Sequence, residues 1–310
     1  MNKVKDFKAG DSINQPLLVG MVNQGVTTSG SPYLSLSLQD VTGTIDAKYW
    51  SVKPDQEALC QSGKIIQVSG DVISYKGHLQ LKVTEASLPQ GELDPMDFRM
   101  QAPIDKDSLH KDIDAAVSSL TDEVLKKVVS QLLADAGESF YSRPAAVKNH
   151  HEFSGGLATH VVSMLKLAQA VLSRSPVLNS DLLIAGVLVH DIGKLKELSG
   201  GVVPEYTFQG KLLGHISIGN AMIMEAATKL GLQDKESVIL LEHMVLSHHG
   251  EYEFGSPMLP MTPEAEALHF IDNFDARMEM LRKAMDNTKK GEFTIKLYPL
   301  ENRMFYKPNK

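Results

Sequence analysis

The feature that most limits what this chain can fold into is residues 182–194, where an apolar run from Leu182 to Val189 passes straight into His190, Asp191, Ile192, Gly193 and Lys194. A run of that length with no polar face predicts a helix buried on all sides. Such a helix carries adjacent ionisable groups at its end only where the fold gives them partners, because a desolvated charge or imidazole left alone is strongly unfavourable. The rest of the sequence must deliver those partners.

Candidates recur at helical spacing. Leu157, Val161, Met164, Leu165 and Ala168 form one apolar stripe, and His160 lies on the same inward face. Leu241 and Val245 form another row, which His248 continues. Thr262 and Pro263 read as an N-cap and first turn, and the helix they start carries Leu268 and Ile271 with Asp272 beside them. His215 opens a further helical pattern through Ile218, Met222, Ile223 and Ala226. His249 neighbours His248 and could replace or support it as a ligand; two such residues point about 100° apart on a helix, and the row favours His248. Singly, each is ordinarily a packed core or helix-end residue. Together, imidazoles and carboxylates on the inward faces of separate helices suit divalent first-row metals.

The ordered set His160, His190-Asp191 and Asp272, with the HDIGK continuation, resembles the HD superfamily of metal-dependent phosphohydrolases, and His215 and His248 resemble the extra ligands of its two-metal members. Three longer stretches are similar to the YhaM-type 3′-to-5′ exoribonucleases of Gram-positive bacteria: residues 149–157 (NHHEFSGGL), 271–278 (IDNFDARM) and 300–306 (LENRMFY). That resemblance covers nearly the whole chain. It implies a cytoplasmic enzyme of RNA degradation that releases nucleoside monophosphates, with Mn as the favoured ion; the direction of attack rests on it alone.

At 310 residues with 43% hydrophobic content, the chain has material for two cores. Residues 14–88 predict an all-β module, from the alternation of Leu34, Leu36 and Leu38, then Ile45, Ala47 and Tyr49, then Ile66 and Val68, then Leu79, Leu81 and Val83. Turn signals at residues 29–32, 41–43 and 76–77 separate the runs. Five short strands in that span fit a small closed barrel of the OB type, a fold that often holds single-stranded nucleic acid, and the resemblance implies the same. The candidate strand contacts are the stacking aromatics Tyr33, Trp50 and Tyr75 and the polar Lys48, Lys76 and His78.

The expected division is an OB-type domain over 1–95, a linker and bracing helices over 96–148, an α-helical HD domain over 149–290 and a locally basic tail over 291–310. The loop 149–156 places His150, His151 and Glu152 where they could contact substrate phosphate or orient a ligand, His151 being the foremost substrate contact. Residues 199–214 predict a small hairpin over the site, and Tyr252 and Phe254 sit in a loop beyond His249. Met1 to Phe7 are charged, and no apolar run reaches membrane-spanning length, which predicts a cytosolic protein without membrane association. The lone Cys60 agrees with a reducing compartment.

Phosphodiester hydrolysis needs a hydroxide, a sink for phosphoryl charge and help for the leaving alkoxide, which two cations about 3.5–4 Å apart can supply. In the expected arrangement His160, His190, Asp191 and Asp272 hold one ion, and Asp191 bridges to a second held by His215 and His248. A carboxylate suits the bridge because its two oxygens can serve two cations. Lys194 is positioned to stabilise charge on the attacked phosphate, with His249 a supporting catalytic group. Mixed N and O ligands admit Mn, Fe, Co, Ni or Zn, with Mg also open.

The expected substrate is single-stranded RNA; single-stranded DNA and self-association into a homo-oligomer stay open. The formal charge of −7 runs against the basic character usual in nucleic-acid binders. It leaves an alternative function, an HD phosphohydrolase of small nucleotides in which the OB domain regulates. A single-strand binding protein without activity conflicts with the survival of every expected ligand type.

Overall fold

The computed structural model describes residues 2–75, 77–100, 104–146 and 153–310. The chain divides into two compact units, residues 1–101 with 200–203, and residues 102–199 with 204–310.

The first unit is a closed five-stranded barrel, β1 (Ser12–Val26), β2 (Pro32–Asp40), β3 (Gly43–Trp50), β4 (Ile65–Tyr75) and β5 (His78–Ser87), in the order β1-β2-β3-β5-β4. The period-two pattern dictates its wall: Leu34, Leu36, Leu38, Ile45, Ala47, Tyr49, Ile66, Val68, Leu81 and Val83 are all buried. Leu79, expected among them, is 40% exposed. It pairs with Ser74 near the tip of the β4–β5 ribbon, where the alternation continues past the barrel wall. A short helix, α1 (Pro54–Leu59), joins β3 to β4 and starts on its own proline. The stretch after β5 contains a 3₁₀ turn, Pro95–Phe98, that packs against β1 and β2.

The second unit is helical: α2 (Lys106–Ser119), α3 (Glu123–Ala136), α4 (Glu138–Ser142), α5 (Gly156–Leu172), α6 (Ser180–Val189), α7 (Lys194–Glu197), α8 (Phe208–Lys229), α9 (Glu236–Ser247) and α10 (Pro263–Asp286). Side-chain caps set several starts, among them Asp105, Asp122, Asn179, Thr207 and Thr262. α6 is the pivot. Every residue from Leu182 to Val189 is buried, and α2, α3, α5, α9 and α10 all pack on it. Burial of its six largest side chains contributes on the order of 10 kcal/mol before entropy, which offsets the cost of the polar groups at its end.

The hairpin expected over residues 199–214 reduces to one antiparallel bridge, Leu198↔Tyr206. α8 begins at Phe208, capped by the Thr207 side chain, and is kinked at Gly214 (φ 70°, ψ 156°), so the straight part opens at His215. Past α10 the tail folds back through the bridges Phe293↔Tyr306 and Leu297↔Arg303, anchored by the buried Leu300 and by Arg277 bound through both terminal nitrogens to Glu301 at 2.9 and 3.0 Å. Among the described residues no helix is long and apolar enough to cross a membrane.

Candidate metal centre

The buried C-terminal end of α6 delivers His190 and Asp191, and the short α7 delivers Lys194 one turn on. α5 contributes His160, the straight part of α8 His215, the end of α9 His248 and His249, and α10 Asp272. These residues converge. His160, His190 and Asp272 offer ligand atoms within 4.8 Å of one another, and His215, His248 and His249 do the same.

Asp191 lies between the two groups. Its Oδ1 is 3.4 Å from His215 Nε2 and 3.8 Å from His248 Nε2. Its Oδ2 is 3.4 Å from His190 Nε2, 3.9 Å from His160 Nε2 and 2.7 Å from Lys194 Nζ. One oxygen thus faces each group of imidazoles.

The hydrogen bonds on the far side of each ring fix which nitrogen points inward. His190 Nδ1 lies 3.0 Å from the Val187 carbonyl, His248 Nδ1 2.7 Å from the Val245 carbonyl, and His249 Nδ1 2.7 Å from the Phe254 carbonyl. A carbonyl only accepts, so each Nδ1 carries the proton and each Nε2 presents a lone pair. His215 Nδ1 is 3.2 Å from Glu197 Oε1, and His160 Nδ1 is 2.7 Å from Asp275 Oδ2. Glu197 and Asp275 went unseen in the sequence.

Four inward atoms, His190 Nε2, His215 Nε2, His248 Nε2 and Asp191 Oδ1, are buried and have no hydrogen-bond partner among the described residues. Buried polar atoms are ordinarily satisfied. Four acceptors converging without a donor fit divalent cations, and imidazoles backed by carbonyls and carboxylates are the usual way such ligands are held.

The electrostatics agree. Burial alone would raise Asp191, yet the Lys194 ammonium, followed by His190 and His215, holds it well below the usual carboxylate range. Asp272 is likewise held down against its burial by His160. Burial favours the neutral form of His160, but the bonds to Asp272 and Asp275 push it up to about 9. Burial pushes His248 well down and His249 down as well, so both rings are neutral near pH 7. Lys194 is raised despite burial because Asp191 sits against it.

On the barrel, Trp50 and Tyr33 are cross-strand neighbours with ring centroids 4.8 Å apart, Trp50 being 45% exposed. Lys48 Nζ lies 4.9 Å from the centre of the Tyr33 ring and bonds Ser35 Oγ. Tyr75 is exposed at the far end of β4. Lys76 and His151, with His150 and Glu152, lie outside the described residues.

Comparison with known proteins places these two units. The family described as "HD domain" matches residues 157–277, and that described as "OB-fold nucleic acid binding domain" matches residues 17–89. The chain is 45% identical over 304 residues to the 3'-5' exoribonuclease YhaM of Geobacillus sp. (strain WCH70), a match covering 97% of this chain and 94% of that protein. Among solved structures, the second OB-fold domain of replication protein A from Methanococcus maripaludis is 23% identical over 30% of this chain and 98% of its own, with a TM-score of 0.24.

Proposed function

Since this chain belongs to the family of the 3'-5' exoribonuclease YhaM, we propose that it hydrolyses single-stranded RNA from the 3′ end to nucleoside monophosphates, at a centre built from His160, His190, Asp191, His215, His248 and Asp272. The observation that carries this reading is the set of buried, donorless atoms around Asp191. Two divalent cations, Mn favoured, would supply Lewis acidity for the phosphoryl oxygens and make a water acidic enough to attack near neutral pH.

The protein's own groups divide the remaining work. His160, His190 and Asp272 would hold the first cation and His215 and His248 the second, with Asp191 between the two groups. Lys194, tied to Asp191 Oδ2 at 2.7 Å, keeps that carboxylate ionised and has N–H donors left for a non-bridging phosphate oxygen as charge builds there. His249, neutral and beside His215, joins the second group as ligand or as acceptor of a proton from the attacking water. The barrel holds the strand without reading it: Trp50 and Tyr33 offer π-faces to successive bases and Lys48 meets phosphate, with Lys76 and His151 as further contacts. The same features would admit single-stranded DNA, and association of copies of the chain is compatible with them.

The test is an incubation of 5′-end-labelled single-stranded RNA, duplex RNA and a panel of mononucleotides with the Mn-loaded protein and with Asp191→Ala. The expected result is a ladder shortening from the 3′ end for the natural chain, and single-strand binding without cleavage for Asp191→Ala. Full activity in a metal-stripped Asp191→Ala protein, or phosphate release from mononucleotides with RNA left intact, overturns the reading.

A further inference from the structure

The ligand rings are supported in different ways, by main-chain carbonyls behind His190 and His248 and by carboxylates behind His160 and His215. His160 sits mid-way along no exposed element: it is fully buried on α5, and its Asp275 partner on α10 is held in turn by the Ser163 hydroxyl, which donates to Asp275 Oδ1. This support joins two long helices that pack directly on each other. His190 and His248 are also fully buried, and each ring is fixed by a carbonyl three residues back in its own chain.

His215 is the exception. It stands at the opening of the straight part of α8, directly after the Gly214 kink, and the preceding Leu212 and Leu213 are 67% and 54% exposed. A single oxygen, Glu197 Oε1, takes both its backbone N–H at 3.0 Å and its ring Nδ1 at 3.2 Å. Glu197 is buried although charged, and it ends α7, the four-residue helix that follows the Asp191 turn. Close backbone contacts weld the two pieces: a Cβ on Gly210 would lie 2.2 Å from the Glu197 carbonyl oxygen, and one on Gly193 2.0 Å from that of His215.

We propose that Glu197 is the positioning residue of the second cation subsite, fixing both the rotamer and the main chain of His215, whereas the first subsite stands without it on the Asp275–His160 pair. The cations therefore bind in two separable steps, and Glu197 governs the later, weaker one. This rests on the two-cation reading above. A carboxylate behind a ligating imidazole typically contributes 10- to 100-fold in metal affinity, roughly.

The experiment is Mn titration of the chelator-stripped full chain by calorimetry, with bound metal counted by elemental analysis and the Mn pair followed by electron paramagnetic resonance. It uses the natural protein, Glu197→Gln, Asp275→Asn and the conservative Glu197→Asp, each checked by circular dichroism. The natural chain is expected to bind two ions and give the spin-coupled spectrum of a pair. Glu197→Gln should keep the tight step, weaken the other about 10- to 100-fold and give the spectrum of isolated Mn, with partial recovery in Glu197→Asp. Asp275→Asn should weaken the tight step instead. Two unchanged steps and a coupled spectrum in Glu197→Gln overturn the proposal, as does loss of the same step in both variants. A natural chain that binds no Mn overturns the two-cation reading itself, a result distinct from either.

Discussion

The closest approach in the helical unit gives the sharpest prediction. Gly193 has φ −62° and ψ −22°, values open to any residue, so its missing side chain is required by space alone. A Cβ there would lie 2.0 Å from the His215 carbonyl oxygen, 2.6 Å from Gly219 N and 2.8 Å from the His215 carbonyl carbon. All three are main-chain atoms, which cannot swing aside as a side chain would. Ordinary contact needs about 3.5 Å, so Gly193→Ala must drive the start of the straight part of α8 back by more than 1 Å, roughly. Overpacking of this kind costs about 1–3 kcal/mol of stability, and a displacement of about 1 Å at a reacting centre costs on the order of 100-fold in rate. The assay is kcat/KM for 3′-end shortening of a labelled oligonucleotide, with Tm measured alongside. Gly219→Ala, across the same contact, is the control: its nearest neighbours lie at 3.4 Å, and it should lose far less. If Gly193→Ala matches the natural chain in both measurements, or if Gly219→Ala is the more damaging, the steric argument is wrong.

Other outcomes follow from the same structure. Trp50→Ala should weaken binding of a single-stranded oligonucleotide by about 1–3 kcal/mol, read by fluorescence anisotropy, while cleavage of a dinucleotide substrate is little changed. Cys60 is buried and its thiol is pushed up to about 11 by that burial, so a thiol reagent at pH 8 should label it only as fast as the barrel opens, and at once in denaturant. With cations chelated, His160, whose folded value of about 9 exceeds the ordinary 6.5, binds more protons folded than unfolded between those limits. Its contribution to stability is full below about pH 6.5 and lost as pH rises through about 9; urea midpoints across that range should fall for the natural chain and fall less for Asp275→Asn.

The sequence spoke most clearly where one periodicity governed several residues at once. The strand alternation in Leu34, Leu36 and Leu38 and the stripe around His160 both placed side chains on the face where they lie, because burial selects a whole row. Leu79 broke the rule, since a ribbon can keep its alternation after the wall it belongs to has ended. Asp275 was within reach, lying three residues after Asp272 on the same helix. Glu197 was not: a four-residue helix has no period to read, and its meaning depends on a backbone amide that the chain brings back 18 residues later. The start of α8 was placed too late because the kink at Gly214 looks, in sequence, like an end.

Asp272 and Asp275 both stand on α10, 112 and 115 residues after His160, so a chain clipped before α10 leaves that imidazole without either carboxylate.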